Sequence, residues 1–306
     1  MRPQDLARLI ALAAMWGASY LFMRYAVPQF GPATLIELRV LIAGLTLIAW
    51  LAFMRRSVGW RAHWPAYLFV GAVGLALPFV LIAQALTTID ASTAAILNAL
   101  SPLFASVTAA LWIRDPLTPA KLSGIALCLA GTAVLVGWTP APMSARELLA
   151  ASFSVLATAI YGYTIVFTKV KLKGASPLGT AAATLLMAAA ALAFVVPFSP
   201  PPHGLAGIPA MSWLAMLGLA LVSTTVAFIF YYRLIADVGP VKAITVTLLV
   251  PIFGMIWGIL FLGEPLTPGR VAGCVIILMG CSLILGLVRI PFTRPAGQGI
   301  SADERR

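Results

Sequence analysis

Asn98 and Thr247 each stand four residues ahead of a proline, Pro102 and Pro251, within apolar sequence. Proline inside a helix has no N–H to donate and leaves the carbonyl four residues back without its partner. Each motif therefore brings a polar side chain and a freed carbonyl to one point. Such a pair can hold a small polar solute: the Asn98 amide both donates and accepts, and a freed carbonyl accepts from an ammonium or hydroxyl group. Arg39 adds a permanent cation two residues after Glu37. It reads in two ways, as a group that meets a solute, or as half of an ion pair with Glu37 or with an acid on a neighbouring helix. Trp16, Tyr20 and Tyr161 supply apolar walls with polar tips, and Gln84, Ser223 and Thr224 supply orienting groups. Tyr163, Tyr231 and Tyr232 share those helices; packing against neighbours is the other reading of the whole aromatic set. Catalytic chemistry is harder to assemble. His63 and His203 are the only histidines and fall in loops, while Asp90, Asp115, Asp237 and Glu264 fall at helix ends. A histidine metal site, a Ser/His pair and an embedded carboxylate dyad are thereby excluded, and neither an enzyme nor a cofactor is expected.

The elements that position these groups are membrane helices. Hydrophobic residues make up 61% of the 306 positions and charged residues 9%, against roughly a quarter charged in a soluble chain. A span needs about 20 apolar residues. Ten stretches qualify, at 6–26, 33–54, 64–86, 91–112, 119–138, 147–168, 177–198, 212–235, 240–262 and 268–289. Alternating strands of barrel type are absent. Arg2 and Arg8 precede the first apolar run as in a signal peptide, but its length and the nine further spans make it the first membrane helix. Cys128, Cys274 and Cys281 all lie within spans as small apolar fillers.

The net charge of +11 is distributed by side rather than gathered in a nucleic-acid patch. With both termini in the cytoplasm, sixteen basic residues face inward, from Arg2 and Arg8 through Arg55, Arg56 and Arg61 to Arg289, Arg294, Arg305 and Arg306. Only Arg146 and Arg270 face outward, with Arg24 and Arg39 inside spans. That is the bias which sets orientation in a membrane.

The chain also repeats itself. "DPLTPAKLSG" at 115–124 returns as "EPLTPGRVAG" at 264–273, and a gapless offset of 149 carries residues 64–137 onto 213–286. Trp64 falls on Trp213, Phe79 on Phe228, Pro102 on Pro251, Phe104 on Phe253, and Gly124, Gly131 and Gly137 on Gly273, Gly280 and Gly286. An offset of 145 sets "WGASYLFMR" (16–24) on "YGYTIVFTK" (161–169), and Arg39 on Thr184. Each copy holds five spans, an odd number, so the second must sit upside down relative to the first. Paired interruptions near the midplane of inverted repeats point to a solute site. Thr-Pro opens a helix well, so the repeated phrase reads as a hairpin corner with its acid beside the helix that follows. The glycines spaced by seven read as packing seams, and Trp112, Trp138 and Trp213 as interfacial belt residues.

Trp16-Gly17 and Tyr161-Gly162 in the first helix of each copy, Arg39 in the second helix, and a mid-helix proline with acid-Pro fourteen residues on resemble the EamA family of the drug/metabolite transporter superfamily. The likeness runs from about Leu6 to Val288; Arg114-Asp115 departs from the usual Gly-Glu that Gly263-Glu264 keeps. The resemblance implies an all-α integral membrane fold of ten transmembrane helices in two inverted five-helix repeats. The repeats would span 6–138 and 147–289, with a cytoplasmic tail at 290–306. It implies a multi-pass protein of the inner (cytoplasmic) membrane, monomer or weak homodimer, that moves small metabolites, amino acids above all, commonly outward. Export of drugs or other metabolites and passive conduction are the alternatives. Trp16, Tyr20, Arg39, Gln84, Asn98, Tyr161 and Thr247 are the candidate binding residues, with Pro102 and Pro251 as kinks; the expected partners are a small solute and lipid, not nucleic acid. Glu37 is the only acid near a path, so proton coupling and simple facilitation both remain open.

Reporter fusions test the orientation. The termini and the 55–63 loop are expected to report from the cytoplasm and the 198–211 loop from outside. A cytoplasmic signal from 198–211 refutes the arrangement.

Overall fold

The structure, a computed structural model, describes residues 2–137, 143–202 and 204–288. Trp138, His203 and the basic tail from Arg289 onward lie outside the described residues. Those residues form ten apolar helices: α1 (Pro3–Phe30), α2 (Pro32–Phe53), α3 (Trp60–Ala85), α4 (Ala91–Ile113), α5 (Pro119–Gly137), α6 (Ala145–Lys171), α7 (Pro177–Leu192), α8 (Ala210–Val238), α9 (Val246–Leu262) and α10 (Pro268–Ile284). Seven are long and apolar enough to cross a bilayer; α7, α9 and α10 are shorter. Among the described residues there is no strand. Large apolar side chains such as Leu111, Phe194 and Leu260 stand exposed on the outside, as lipid-facing side chains do.

Three expected spans are shorter than the sequence implies; the 268–289 stretch stays helical only to Ile284 and then turns, with Gly286 at φ 68°. The 177–198 stretch leaves the α-helix after Leu192 and tightens into a single turn at Val196–Phe198, where Pro197 disfavours helical geometry in the residue before it. The 240–262 stretch is broken: a four-residue helix at Pro240–Ala243 ends in a turn, and α9 begins at Val246. Two other helices are widened rather than broken. α3 passes through a π-helical segment at Val70–Ala76 and α8 through another at Gly218–Val226. An offset of 149 puts the first segment within the second, so the irregularity belongs to both repeats.

Packing follows the same symmetry. α1 lies on α9 as α6 lies on α4; α3 packs on α7 as α8 packs on α2; α5 pairs with α10, α2 with α7 and α4 with α9. Exchanging the two halves maps this set of contacts onto itself. The equivalent helices α5 and α10 run antiparallel, because Gly124 meets Gly280 at one end and Gly131 meets Gly273 at the other. A Cβ on Gly124 would fall 2.6 Å from the Gly280 carbonyl oxygen, so this seam requires glycine on both sides.

At the corners, the repeated phrase does what Thr-Pro suggests. Thr118 Oγ1 accepts from Lys121 N and Thr267 Oγ1 from Arg270 N, each at 3.3 Å, with Pro119 and Pro268 at the first helical position. α9 closes on Gly263 at φ 65°, and α4 closes on Arg114 at φ 55°. Arginine thus occupies a left-handed position that costs an L-residue roughly 1–2 kcal/mol. The acids differ from expectation. Asp115 pairs with Lys121 in the helix that follows (3.0 Å). Glu264 instead reaches the start of α4 in the other repeat, where Oε1 accepts from Ala91 N (2.7 Å) and Oε2 from Ser92 N (2.9 Å) and the Ser92 hydroxyl. Beside it, Arg270 pairs with Asp90.

Two further close helix crossings lie at Gly17 and Gly162. A Cβ on Gly17 would lie 2.7 Å from Phe253 Cβ, and one on Gly162 would lie 2.5 Å from Ala105 N and from Phe104 Cβ. These contacts are equivalent in the two repeats. Gly162→Ala is expected to lower the unfolding temperature of the detergent-purified protein by several degrees, about 1–3 kcal/mol of overpacking. Gly137→Ala, with nothing within 4 Å of the new Cβ, should leave it unchanged. Equal melting of both variants would contradict the crossing.

Candidate functional site

The crossings set the aromatic residue beside each glycine against the prolines of the opposite repeat. Trp16 on α1 and Tyr161 on α6 line a cavity of about 350 Å³ together with Tyr20, Asn98, Pro102, Thr247 and Pro251. Arg39 enters from α2, and Phe79 and Phe228, equivalent residues on α3 and α8, both contribute to the same lining. No acidic residue contributes to it. Of the candidate binding residues, Gln84 alone is absent. It is exposed, at the penultimate position of α3 and outside the cavity lining. Periodicity explains the difference: Leu75, Phe79 and Ile82 repeat at helical spacing on the cavity face, and Gln84 lies off that stripe.

The proline motifs behave unequally. In the first repeat α4 is broken by a turn at Ala99–Leu100, and the Asn98 carbonyl freed by Pro102 accepts from Ser101 Oγ at 2.8 Å. The Ala99 carbonyl accepts from Cys281 Sγ on α10 at 3.0 Å. One freed acceptor is therefore already engaged by its own neighbour. The Asn98 side-chain oxygen is buried and has no partner among the described residues, although the Tyr20 phenol adjoins the amide. In the second repeat Pro251 lies inside a continuous α9, and Thr247 Oγ1 turns back to the Ile244 carbonyl at 2.8 Å.

Arg39 is 5% exposed and has no carboxylate partner among the described residues. The ion-pair reading fails: Glu37 sits two residues along the same helix and its own Oε2 is buried without a partner. The guanidinium is held by neutral groups. Nε donates to Thr224 Oγ1 at 3.0 Å, one terminal nitrogen approaches Met23 Sδ at 3.8 Å, and Cζ lies 3.9 Å from the centre of the Phe79 ring. A cation over an aromatic face is attracted by the ring quadrupole. Thr224 can accept because its own proton goes to the Leu219 carbonyl five residues back, at 2.8 Å. The π-helical turn of α8 supplies that geometry.

The remaining aromatics pack elsewhere. Tyr163 stacks on Trp112 near the surface with centroids 5.4 Å apart, Tyr231 packs against Trp16 at 5.2 Å, and Tyr232 stacks on Phe228. Ser19, Met23 and Ser101 were missed as lining residues. The first two follow Trp16 at three and seven positions, the spacing of one helix face, which could have found them. Arg24 does not reach outward; it donates to the Leu86 carbonyl at the end of α3.

This chain matches the EamA-like transporter family over residues 6–137 and 148–286. It belongs to that family. A probable terminal-alkyne amino-acid exporter of Streptantibioticus cattleyicolor is 24% identical, over 90% of this chain and 91% of the relative. An S-adenosylmethionine/S-adenosylhomocysteine transporter of Chlamydia trachomatis is 24% identical, over 89% and 86%. An uncharacterized transporter of Bacillus subtilis is 24% identical, over 92% and 94%. A protein crystal structure superposes with a TM-score of 0.66 at 20% identity, covering 94% of this chain and 98% of that one, and shows the fold. The EamA match and the apolar helices make this a multi-pass membrane protein related to transporters.

Thr224→Val removes both the acceptor for Arg39 and the bond to Leu219. It is expected to destabilise the protein by roughly 1–3 kcal/mol, the usual cost of stranding buried polar groups, while Thr224→Ser restores most of the loss. Thermal unfolding in detergent measures this, and a Thr224→Val protein as stable as the parent would show the hydroxyl to be idle.

Proposed function

We propose that this EamA protein is a secondary transporter that moves small metabolites, amino acids and related compounds, out of the cell by alternating access. The observation that carries the reading is the cavity, built from equivalent residues of both repeats at the two helix crossings. Trp16 with Tyr161, Phe79 with Phe228, Asn98 with Thr247 and Pro102 with Pro251 all contribute. A site on the pseudo-symmetry axis stays in place while the halves exchange conformations. Its volume suits a solute of amino-acid size. Ten spans, repeats at 6–138 and 147–289, both termini in the cytoplasm and placement in the inner membrane complete the proposal. The printed name of the Streptantibioticus relative supports the amino-acid class and the outward direction.

Asn98 is assigned to hold the polar end of the solute and the aromatic residues its body. Asn98→Leu is expected to reduce transport at least tenfold, on the order of one charge-assisted hydrogen bond, with expression and melting temperature near those of the parent. The measurement is release of labelled amino acids and their carboxylic derivatives from overproducing cells, repeated in proteoliposomes. Unchanged release across the panel would turn the reading to other metabolites or drugs, and unaltered transport by Asn98→Leu would remove the site.

A further inference from the structure

Resting on the cavity reading above, we propose that the solute is bound as a net anion: one carboxylate on Arg39, an apolar or aromatic body, and no ammonium of its own. The charge balance of the lining carries this. Arg39 is its only charged residue, is almost wholly buried, and meets only a hydroxyl, a thioether and an aromatic ring. A guanidinium remains protonated in proteins, so the cavity holds an uncompensated positive charge. Its second terminal nitrogen has no hydrogen-bond partner among the described residues. Nε is taken by Thr224 and the other terminal nitrogen has only a weak sulfur acceptor in Met23, so the guanidinium of this lining residue keeps N–H groups to donate to a carboxylate.

Symmetry argues against a structural role for the charge. The equivalent position in the second repeat is Thr184, which is buried and satisfied within its own helix by the Thr180 carbonyl at 2.8 Å. The equivalent of Thr224 is Leu75, which also lines the cavity. The fold thus builds the equivalent helix contact without a cation and with no hydroxyl at the place of Thr224. A buried charge with no counter-ion is costly, and a solute carboxylate offsets that cost.

An ammonium finds no matching provision. The Asn98 carbonyl is occupied by Ser101, and the Thr247 carbonyl that Pro251 frees carries no charge; the Asn98 side-chain oxygen and Ser223 Oγ are the buried side-chain acceptors of the lining without partners among the described residues. Both are neutral. A zwitterion would place its ammonium in a site that already carries one positive charge, and an amine cation would add to it. The preferred solutes are accordingly carboxylic acids whose amine is absent or acylated.

The test uses four compounds sharing a phenyl body: phenylpropionate and N-acetylphenylalanine as anions, phenylalanine as zwitterion, and phenethylamine as cation. Their binding to purified protein in detergent is measured at neutral pH by calorimetry for the parent, Arg39→Gln, Arg39→Lys and Asn98→Leu. The parent is expected to bind at least one anion roughly 10- to 100-fold more tightly than the zwitterion, with the cation weakest. Arg39→Gln should abolish that preference. Arg39→Lys keeps the charge and loses the fork, so it should retain the order with weaker binding; it carries the test where Arg39→Gln does not fold. Phenylalanine or phenethylamine binding as tightly as the anions, in a manner still weakened by Asn98→Leu, overturns the charge assignment and leaves the cavity reading intact. Binding indifferent to Asn98→Leu and to both Arg39 variants, or no saturable binding of any compound, overturns the anion proposal together with the cavity as its site.

Discussion

The site depends on two of the crossings where helices touch backbone to backbone. Gly17 of α1 lies against Phe253 and Gly254 of α9, and Gly162 of α6 lies against Phe104 and Ala105 of α4. A helix side chain covers the surface near its own turn, so residues flanking such a contact have fixed directions. Trp16 and Tyr161 precede the glycines, and Pro251 and Pro102 precede the contacted phenylalanines by two residues. The first helix of each half is thereby pinned to the fourth helix of the other. Aromatic walls and helix irregularities then meet in one volume. Without side chains at Gly17 and Gly162 the crossings are close; with them the cavity would have different walls.

A second constraint comes from lipid, which offers no hydrogen bonds to backbone groups released from a helix. Irregular backbone is tolerated only where protein or a cavity meets it. The irregularities of α4 and α8 are answered by nearby side chains: Ser101 donates to the Asn98 carbonyl, Cys281 to Ala99, Thr224 to Leu219 and Thr225 to Ala220. Thr164 and Thr184 make similar bonds within regular helices. The irregularities are therefore fitted parts of the structure. Those in α3, α4 and α8 surround the cavity, and the Thr224 bond aims a hydroxyl at Arg39 as well.

The helices, the repeat and the inversion were legible because each rests on a long pattern: apolar runs, gapless recurrence of Pro, Gly and Trp, and an odd number of stretches. Most of the lining was legible for the same reason, since Trp16, Tyr20, Asn98, Pro102 and Tyr161 are polar or irregular points in apolar helices. What escaped depends on three-dimensional competition. Whether Pro102 breaks its helix while Pro251 does not turns on which neighbours take the freed carbonyls, and Ser101 and Cys281 serve only the first. The π-helical turns carry no sequence period of their own. Gln84 misled because a polar residue in an apolar helix was read without fixing its face. Glu264 was read locally, as an acid beside its own corner, while its partners lie 172 and 173 residues away.

That last contact also shows where two similar halves stop being equivalent. Glu264 satisfies the first N–H groups of α4, and carboxylate bonds at a helix N-terminus gain from the helix dipole as well as from charge. The equivalent acid, Asp115, would face the start of the second repeat's fourth helix, where Pro240 and Val241 replace Ala91 and Ser92. Proline has no N–H, and valine has no hydroxyl. Asp115 pairs instead with Lys121, and the short helix at Pro240 breaks away from α9. One end of the α4–α9 pair is thus bound across the repeats by Glu264 and by Arg270 with Asp90, and among the described residues the other end shows neither bond. In the orientation proposed here the bound end faces outward. Under the alternating access proposed above, a carrier with two identical halves would hold both ends alike; here the Glu264 bonds, roughly 1.5–3 kcal/mol apiece for charged acceptors, weight the two ends unequally. The sequence differences within one repeated phrase therefore bias which end of the cavity is shut.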